Sequence, residues 1–73
     1  MAEENVCSEI TGTVWKIELE IGATVAEDDV IMILESMKME IPVLAPCAGT
    51  LQKLLIEEGA AIAEGQVIAI LGT

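Results

Sequence analysis

The sequence predicts an all-β domain in which two similar small sheets pack face to face. Three features of the 73-residue chain support this fold class. Apolar and polar residues alternate over residues 13–21, two apolar runs at 30–34 and 67–71 are short and rich in β-branched residues, and the second half of the chain repeats the first. Alternation with a period of two is typical of a half-buried strand, and a short apolar run between turns is typical of a fully buried one.

Six strands follow from these patterns. They are predicted at residues 6–10, 13–21, 30–34, 40–44, 50–56 and 67–71, separated by turns that contain glycine or acidic residues. Pro42 has no backbone N–H, which confines the fourth strand to a sheet edge or a strand end. Residues 1–5 are polar and are expected to be frayed, within a single domain that spans residues 1–73.

One stretch of the chain has a competing interpretation as a helix. Residues 26–40 could form one amphipathic helix, with Asp28 or Asp29 as its N-cap. The apolar run inside this stretch is short and β-branched, and Pro42 follows it. We therefore favour the strand.

The second half of the chain repeats the first at an offset of 37 residues. One copy, residues 11–35, cannot bury its apolar face alone, so we expect two copies that bury this face against each other around a pseudo-twofold axis. The first copy leads into the Met37–Met39 turn, whereas the equivalent position of the second copy is the C-terminus. Lys38 is therefore expected at one end of the sandwich and the chain termini at the other. Identical residues in the two copies are Gly12/Gly49, Thr13/Thr50, Lys16/Lys53, Glu20/Glu57, Gly22/Gly59, Ala23/Ala60, Ala26/Ala63, Glu27/Glu64, Val30/Val67, Ile31/Ile68, Ile33/Ile70 and Leu34/Leu71.

The charge balance excludes some classes of partner. Three Lys and Arg residues face 13 Asp and Glu residues, for a net charge of −10. This argues against nucleic acid and anionic membranes as partners, and it suits a solvated surface or docking onto basic faces of larger enzymes. The chain has no apolar run long enough to span a membrane and no signal-peptide pattern. We expect a cytoplasmic protein whose isolated domain is a monomer.

The residue types present argue against a catalytic site or a metal site in this chain. It contains no histidine, which is the usual general base, and zinc requires more ligands than its two cysteines provide. Cys7 and Cys47 are not spaced as a redox pair and are expected to be small apolar fillers in a reducing compartment. We expect no enzyme activity and no metal.

The candidate functional residue is Lys38, in the stretch Glu35–Glu40. It is the one cationic residue that lies between the two repeats, and Met37 and Met39 flank it. An ordinary lysine amine is protonated at neutral pH, so another enzyme would have to deprotonate and acylate it. In an extended turn the two methionines would point roughly opposite to Lys38. Residue types alone also allow two methionines that cap the core beside an ordinary turn lysine.

The hexapeptide Glu-Ser-Met-Lys-Met-Glu resembles the attachment motif of biotinyl domains, the biotin carboxyl carrier family. The match extends further along the chain. Residues 45–49, Ala-Pro-Cys-Ala-Gly, are similar to the family's Ala-Pro-x-x-Gly turn, and Gly22 and Gly59 fit its paired hammerhead turns. Lys38 stands 35 residues before the C-terminus, as in carriers whose domain ends the chain. The resemblance covers roughly residues 7–72.

This resemblance implies a flattened β-sandwich, the barrel-sandwich hybrid of two four-stranded sheets, with Lys38 in a tight β-turn. A biotin protein ligase would join biotin to Lys38 from biotinyl-AMP. Carboxybiotin would then be formed at a biotin carboxylase and used at a carboxyltransferase. The turn residues that the resemblance assigns to recognition by the ligase are Glu35, Ser36, Met37, Met39 and Glu40.

The sequence departs from the family pattern in two places. The stretch Cys7–Gly12 stands where the family often has Ala-Pro-Met-x-Gly, and the segment between the repeats is too short for the protruding thumb of some bacterial acetyl-CoA carboxylase carriers. The short segment between the repeats favours carriers of other biotin-dependent carboxylases or a free-standing attachment protein.

Two other functions stay open. A lipoyl carrier of 2-oxoacid dehydrogenases has the same fold, although its turn usually reads Asp-Lys-Ala, and its cofactor would be lipoate. An unmodified sandwich that acts as a docking module is the second alternative.

Overall fold

The chain folds into two four-stranded antiparallel sheets that pack face to face. The structure is a computed structural model that describes residues 2–73. One sheet has the strand order β1-β8-β6-β3 and the other has the order β5-β4-β2-β7. The strands are β1 (Glu3–Cys7), β2 (Gly12–Ile17), β3 (Thr24–Val25), β4 (Val30–Ser36), β5 (Met39–Leu44), β6 (Gly49–Leu54), β7 (Ala61–Ile62) and β8 (Val67–Gly72). The flattened β-sandwich predicted from the sequence is confirmed, and the helical alternative is wrong.

The two sheets are copies of each other, as the repeat predicts. Strands β2 and β6 have the same burial pattern, and so do β3 and β7. Each long strand of the repeat pairs with its own partner, β2 with β4 and β6 with β8. The remaining edge strands are β5, which pairs with β4, and β1, which pairs with β8. Strand β5 therefore occupies in one sheet the place that β1 occupies in the other.

The core lies between the sheets and takes equivalent residues from each of them. Ile31, Leu34, Ile68 and Leu71 are almost fully buried, and the second pair repeats the first at the same offset. Burying an Ile or Leu side chain stabilises the fold by about 1.5–3 kcal/mol. Neither sheet has another surface on which to bury these residues, so each sheet depends on the other.

Two crossing segments fasten the sheets together. The backbone N–H of Gly22 donates to Leu51 O at 2.7 Å, and in the second copy Gly59 N–H donates to Val14 O at 2.7 Å. Both glycines have positive φ angles, 98° and 88°. The paired turns expected at these two glycines are therefore present. The short strands β3 and β7 follow them, each pairing with the opposite copy.

The start of the chain differs from the sequence prediction. The first strand lies at Glu3–Cys7 rather than at residues 6–10, and residues 2–5 are not frayed. Pairing with β8 satisfies backbone groups along this edge, and Thr73 N–H donates to Ala2 O at 2.9 Å. The chain turns at Ser8, whose buried hydroxyl donates to Ile10 O at 2.6 Å. Met1, also expected to be frayed, lies outside the described residues.

The long strands are shorter than their alternating patterns predict. The strand expected over residues 13–21 ends at Ile17, and the strand expected over 50–56 ends at Leu54. The next residue in each copy still hydrogen-bonds to the neighbouring strand, and the chain then leaves its own sheet to reach the crossing strands. The alternation therefore continues in sequence beyond the end of regular strand pairing. Pro42 lies in the edge strand β5, where the sequence places it.

The two cysteines occupy different environments. Cys7 is exposed on the edge strand β1, so the prediction that it fills the core is wrong. Cys47 is half-buried and packs against the core, as expected. Among residues 2–73 there is no group of side chains placed to hold a metal ion. The described part of the chain also contains no helix that is long and apolar enough to cross a membrane.

The chain ends lie away from the hairpin that joins β4 and β5. Strand β5 runs from Met39 to Leu44, and after a four-residue connection Gly49 begins β6 beside Gly72. Ala2 and Thr73 are hydrogen-bonded to each other at this end. The placement of Lys38 and the termini at opposite ends of the domain agrees with the sequence prediction.

We predict that Gly22→Ala and Gly59→Ala each destabilise the domain by about 1–2 kcal/mol. The cause is the positive φ, in which an L side chain crowds the following carbonyl. Nothing else lies near an added Cβ at either position, so the change isolates the backbone effect. Urea unfolding should show both losses, with Ala61→Gly as a control for a glycine-alanine exchange at negative φ. Equal midpoints for wild type and both alanine variants would contradict the paired-turn account.

Candidate functional site

Lys38 lies at the tip of the β4–β5 hairpin, in a turn of two residues. Ser36 pairs with Met39 across the hairpin, which leaves Met37 and Lys38 as the two central turn residues. Both have positive φ angles, 51° and 68°. Positive φ at both central positions is the mark of a type I′ turn, whose twist matches that of the flanking strands.

The residues of this turn are unusual for its backbone conformation. Type I′ turns favour Asn-Gly, because these residues tolerate a left-handed backbone. Met37 and Lys38 have no such tolerance, and each such residue costs roughly 1–2 kcal/mol. A conformation of this kind persists where the surrounding structure imposes it, and such residues cluster at functional sites. The turn geometry therefore marks this hairpin tip as a candidate site independently of the residue types.

The backbone behind the turn is held by a second segment of the chain. The Ser36 hydroxyl donates to Thr11 O at 3.1 Å. Next to it, Gly12 lies so close to the Glu35 carbonyl that an added Cβ would clash with it. The equivalent glycine, Gly49, has the same close approach to the carbonyl of Gly72. These contacts fix the base of the hairpin, so that the direction in which the turn points is set by the core of the domain.

The side chains at the tip are open to solvent. Lys38 is exposed, Met37 is 92% exposed and Met39 is 62% exposed. In the described part of the chain the one ion pair joins Lys16 to Glu18, with an N–O distance of 3.6 Å, and does not involve Lys38. An exposed amine on a fixed hairpin can enter the active site of another protein.

Two expectations about the methionines are wrong. They do not cap the core, because both side chains are largely exposed. The turn is also not extended, because Met37 and Lys38 share the left-handed conformation. Alternation of side-chain direction applies to strands, and it ends where the type I′ turn begins. The methionines therefore flank Lys38 as exposed apolar groups.

The predicted acidic residues flank the turn as a pair. Glu35 and Glu40 are directly opposite each other on β4 and β5, and both are exposed. Like charges in this arrangement are unfavourable for a sheet. The structure thus brings all six predicted site residues to one hairpin. Sequence reasoning missed Thr11 and Gly12 as its support, although Gly12 was visible as one member of the repeated glycine pair.

Comparison with known proteins identifies the family of the chain that carries this hairpin. A family model for biotin/lipoyl domains, described as "Biotin-requiring enzyme", matches residues 5–71. The chain belongs to this family. The match covers both sheets and the Lys38 hairpin, and the predicted resemblance to biotinyl domains is confirmed.

Curated relatives match the chain over part of its length. The "Biotinylated protein TB7.3 homolog" of Mycobacterium leprae is 47% identical over 45 residues, which are 62% of this chain and 63% of that protein. The "Biotin/lipoyl attachment protein" of Bacillus subtilis is 40% identical over 40 residues, 55% of each chain. The matched region thus spans less than two thirds of these relatives.

Solved structures with the same fold include both carboxylases and a lipoyl domain. The urea carboxylase of Kluyveromyces lactis matches 99% of this chain with a TM-score of 0.93 and 32% identity, over 6% of its own length. A single-chain long-chain acyl-CoA carboxylase matches 93% of this chain with a TM-score of 0.87 and 25% identity, over 7% of its own length. The lipoyl domain of the 2-oxoglutarate dehydrogenase complex from Azotobacter vinelandii gives 0.74 and 27%, over 86% of this chain and 80% of that domain.

We predict that the double substitution Met37→Asn and Lys38→Gly stabilises the domain by about 1 kcal/mol or more. Asn-Gly is the favoured pair for a type I′ turn and removes the cost of two left-handed residues. Urea unfolding measures the difference in the free energy of unfolding. The matched control is Met39→Asn, which changes a neighbouring exposed methionine outside the left-handed positions. Equal or lower stability of the double variant would contradict the strained turn.

Proposed function

We propose that the chain is a biotin carrier whose Lys38 receives biotin through an amide bond. The observation that carries this proposal is the exposed amine at a strained two-residue turn, between two exposed methionines. In the reaction, the Lys38 Nζ attacks the acyl carbon of biotinyl-AMP. The amide bond forms, AMP leaves, and the protonated amine gives up two of its three protons to solvent or to the ligase.

The residues of the turn suit a covalent group that must leave the domain surface. The Lys38 amine is exposed, and among the described residues it forms no ion pair that an acyl group would have to break. Acylation removes the positive charge of Lys38. Among the described residues no ion pair depends on this charge, so its loss breaks no contact of the fold. When bound, biotin supplies the atom that carries a carboxyl group between two active sites.

The division of labour follows from what this chain contains. It has no histidine, and residues 2–73 form no cluster that could hold a metal ion. The chain therefore presents Lys38 and leaves the chemistry to a biotin protein ligase, a biotin carboxylase and a carboxyltransferase. Tethering the group to a domain that visits both carboxylation sites raises its local concentration at each of them. On this proposal the chain is not itself an enzyme, and the isolated domain is a monomer.

Several observations favour biotin over lipoate as the attached group. Met37 and Met39 stand where lipoyl domains usually have Asp and Ala. The relatives from mycobacteria are named as biotinylated proteins, and the two carboxylases match with higher TM-scores than the lipoyl domain does. The lipoyl domain is nevertheless similar over 86% of this chain, and this makes a lipoyl carrier the second candidate function.

We predict that Lys38→Arg abolishes biotin attachment and leaves the fold intact. The arginine side chain remains protonated and cannot be acylated in this way. Labelling by a biotin protein ligase, read with streptavidin, measures the result. Lys53→Arg is the matched control, because this lysine is exposed on a strand of the sheet that lacks the Lys38 hairpin. Labelled Lys38→Arg protein would refute the assignment, as would loss of labelling in the Lys53→Arg control.

A further inference from the structure

We propose that the outer face of the β5-β4-β2 sheet is a docking surface for the biotin protein ligase. This proposal deepens the proposed function and rests on it. We call this surface the apolar face. It is defined by five side chains on three neighbouring strands. They are Trp15, Val30, Ile33, Pro42 and Leu44.

The strand register places these residues together. Val30 pairs with Leu44, and Ile33 pairs with Pro42. Their neighbours Leu34 and Met32 are buried in the core, so this set lies on the opposite side of the sheet. On β2, Lys16 pairs with Ile33, and the register shift between Val14 and Lys16 makes Trp15 the extra residue of a β-bulge beside this pair.

Several side chains of the apolar face, including the largest, are exposed to solvent. Trp15 is 50% exposed, Leu44 is 44% exposed and Val30 is 37% exposed. Trp15 is the only aromatic residue in the chain, and it is not part of the core. Tryptophan is enriched at the centres of protein interfaces, where it supplies a large contact area. An exposed tryptophan among aliphatic side chains therefore marks this face as a candidate interaction surface.

The repeat supplies an internal comparison for this face. The other sheet has equivalent positions, because its strands pair in the equivalent register. Gln52 is the bulge residue that corresponds to Trp15, Asn5 pairs with Ile70 as Pro42 pairs with Ile33, and Cys7 pairs with Val67 as Leu44 pairs with Val30.

The scaffold therefore does not require the apolar side chains. Both sheets have the same backbone arrangement and the same inward-facing core, yet the face without a modification hairpin carries glutamine, asparagine and cysteine at these places. Tryptophan, proline and leucine occur on the sheet whose strands β4 and β5 form the Lys38 hairpin. This difference between two copies of one fold links the apolar face to the handling of Lys38.

An acidic pair separates the apolar face from the turn. Glu35 and Glu40 are directly opposite each other and lie between the Met37–Lys38 turn and the Ile33–Pro42 pair. Their equivalents on the other sheet are Gly72 and Glu3, so the like-charge pair is also specific to the Lys38 sheet. A partner that carries a basic group opposite this pair would relieve its repulsion. The complementary surface is thus apolar with a basic group at the edge nearest the turn.

The position of the face favours the ligase as its occupant. The unmodified amine ends a single lysine side chain, so an enzyme that acylates it must bring its own surface to the turn and to the strands behind it. An enzyme that acts on the distal ring of a biotin arm can remain farther from these strands. The face begins two residue pairs beyond the Glu35–Glu40 pair, within the area that such a close approach covers.

The proposal is tested by steady-state kinetics of biotin attachment with a purified biotin protein ligase that labels the wild-type chain, biotin and ATP. Trp15→Gln and Pro42→Asn copy the residues that the chain itself uses at the equivalent positions. We expect each to raise the KM for the carrier, by about tenfold for Trp15→Gln, with little change in kcat. Leu44→Ser is a third variant, at an exposed position, should either of the others fail to fold.

The matched controls are Gln52→Ala and Asn5→Ala on the other sheet, which should leave the KM unchanged. Equal KM values for Trp15→Gln, Leu44→Ser and wild type, with complete labelling of Lys38, would overturn the docking face and leave the proposed function intact. A change in self-association by light scattering with no change in KM would assign the face to a second copy of the chain and also overturn the proposal. A wild-type chain that no ligase labels would refute the proposed function itself.

Discussion

The structure depends on the burial of two equivalent apolar faces against each other. Ile31 and Leu34 of one sheet meet a core whose other half contains Ile68 and Leu71, and all four are nearly inaccessible to solvent. Neither face has another partner in a chain of this size. The crossing turns at the two positive-φ glycines follow from this arrangement, because each copy reaches across to hydrogen-bond with the other. The result is one domain with a shared core rather than two separate hairpin units.

The features on which the proposed function rests lie where the symmetry of the scaffold fails. Strands β5 and β1 are equivalent. A two-residue turn joins β4 to β5, whereas at the equivalent place in the other sheet the chain enters β1 and leaves β8 without a turn. The turn adopts a conformation that is unfavourable for both of its residues, and the fixed strands on either side hold it there. The outer face next to it is apolar and acid-edged, unlike its counterpart. All these departures lie on the sheet that contains the Lys38 hairpin.

Sequence patterns predicted much of this architecture, for physical reasons that can be separated. Buried faces leave a strong periodic signal, so β4, β8 and the repeat were recognisable, and the glycine pairs showed where the crossing turns lie. The two-residue strands β3 and β7 leave no such signal and entered only through the family resemblance. The first strand was misplaced because its residues are polar, and its formation depends on the open edge of β8. The left-handed conformation of the Met37–Lys38 turn was missed because neither of these residues favours it.

The most direct test of this account is the intact mass of the chain purified from cells that contain both biotin and lipoyl ligases, followed by mapping of the modified residue. The account predicts a single increment equal to a biotin amide, located on Lys38. A lipoyl increment on Lys38 would contradict the choice of biotin and leave the presenting role of the turn intact. An unmodified chain would contradict the carrier function and leave a docking module in its place.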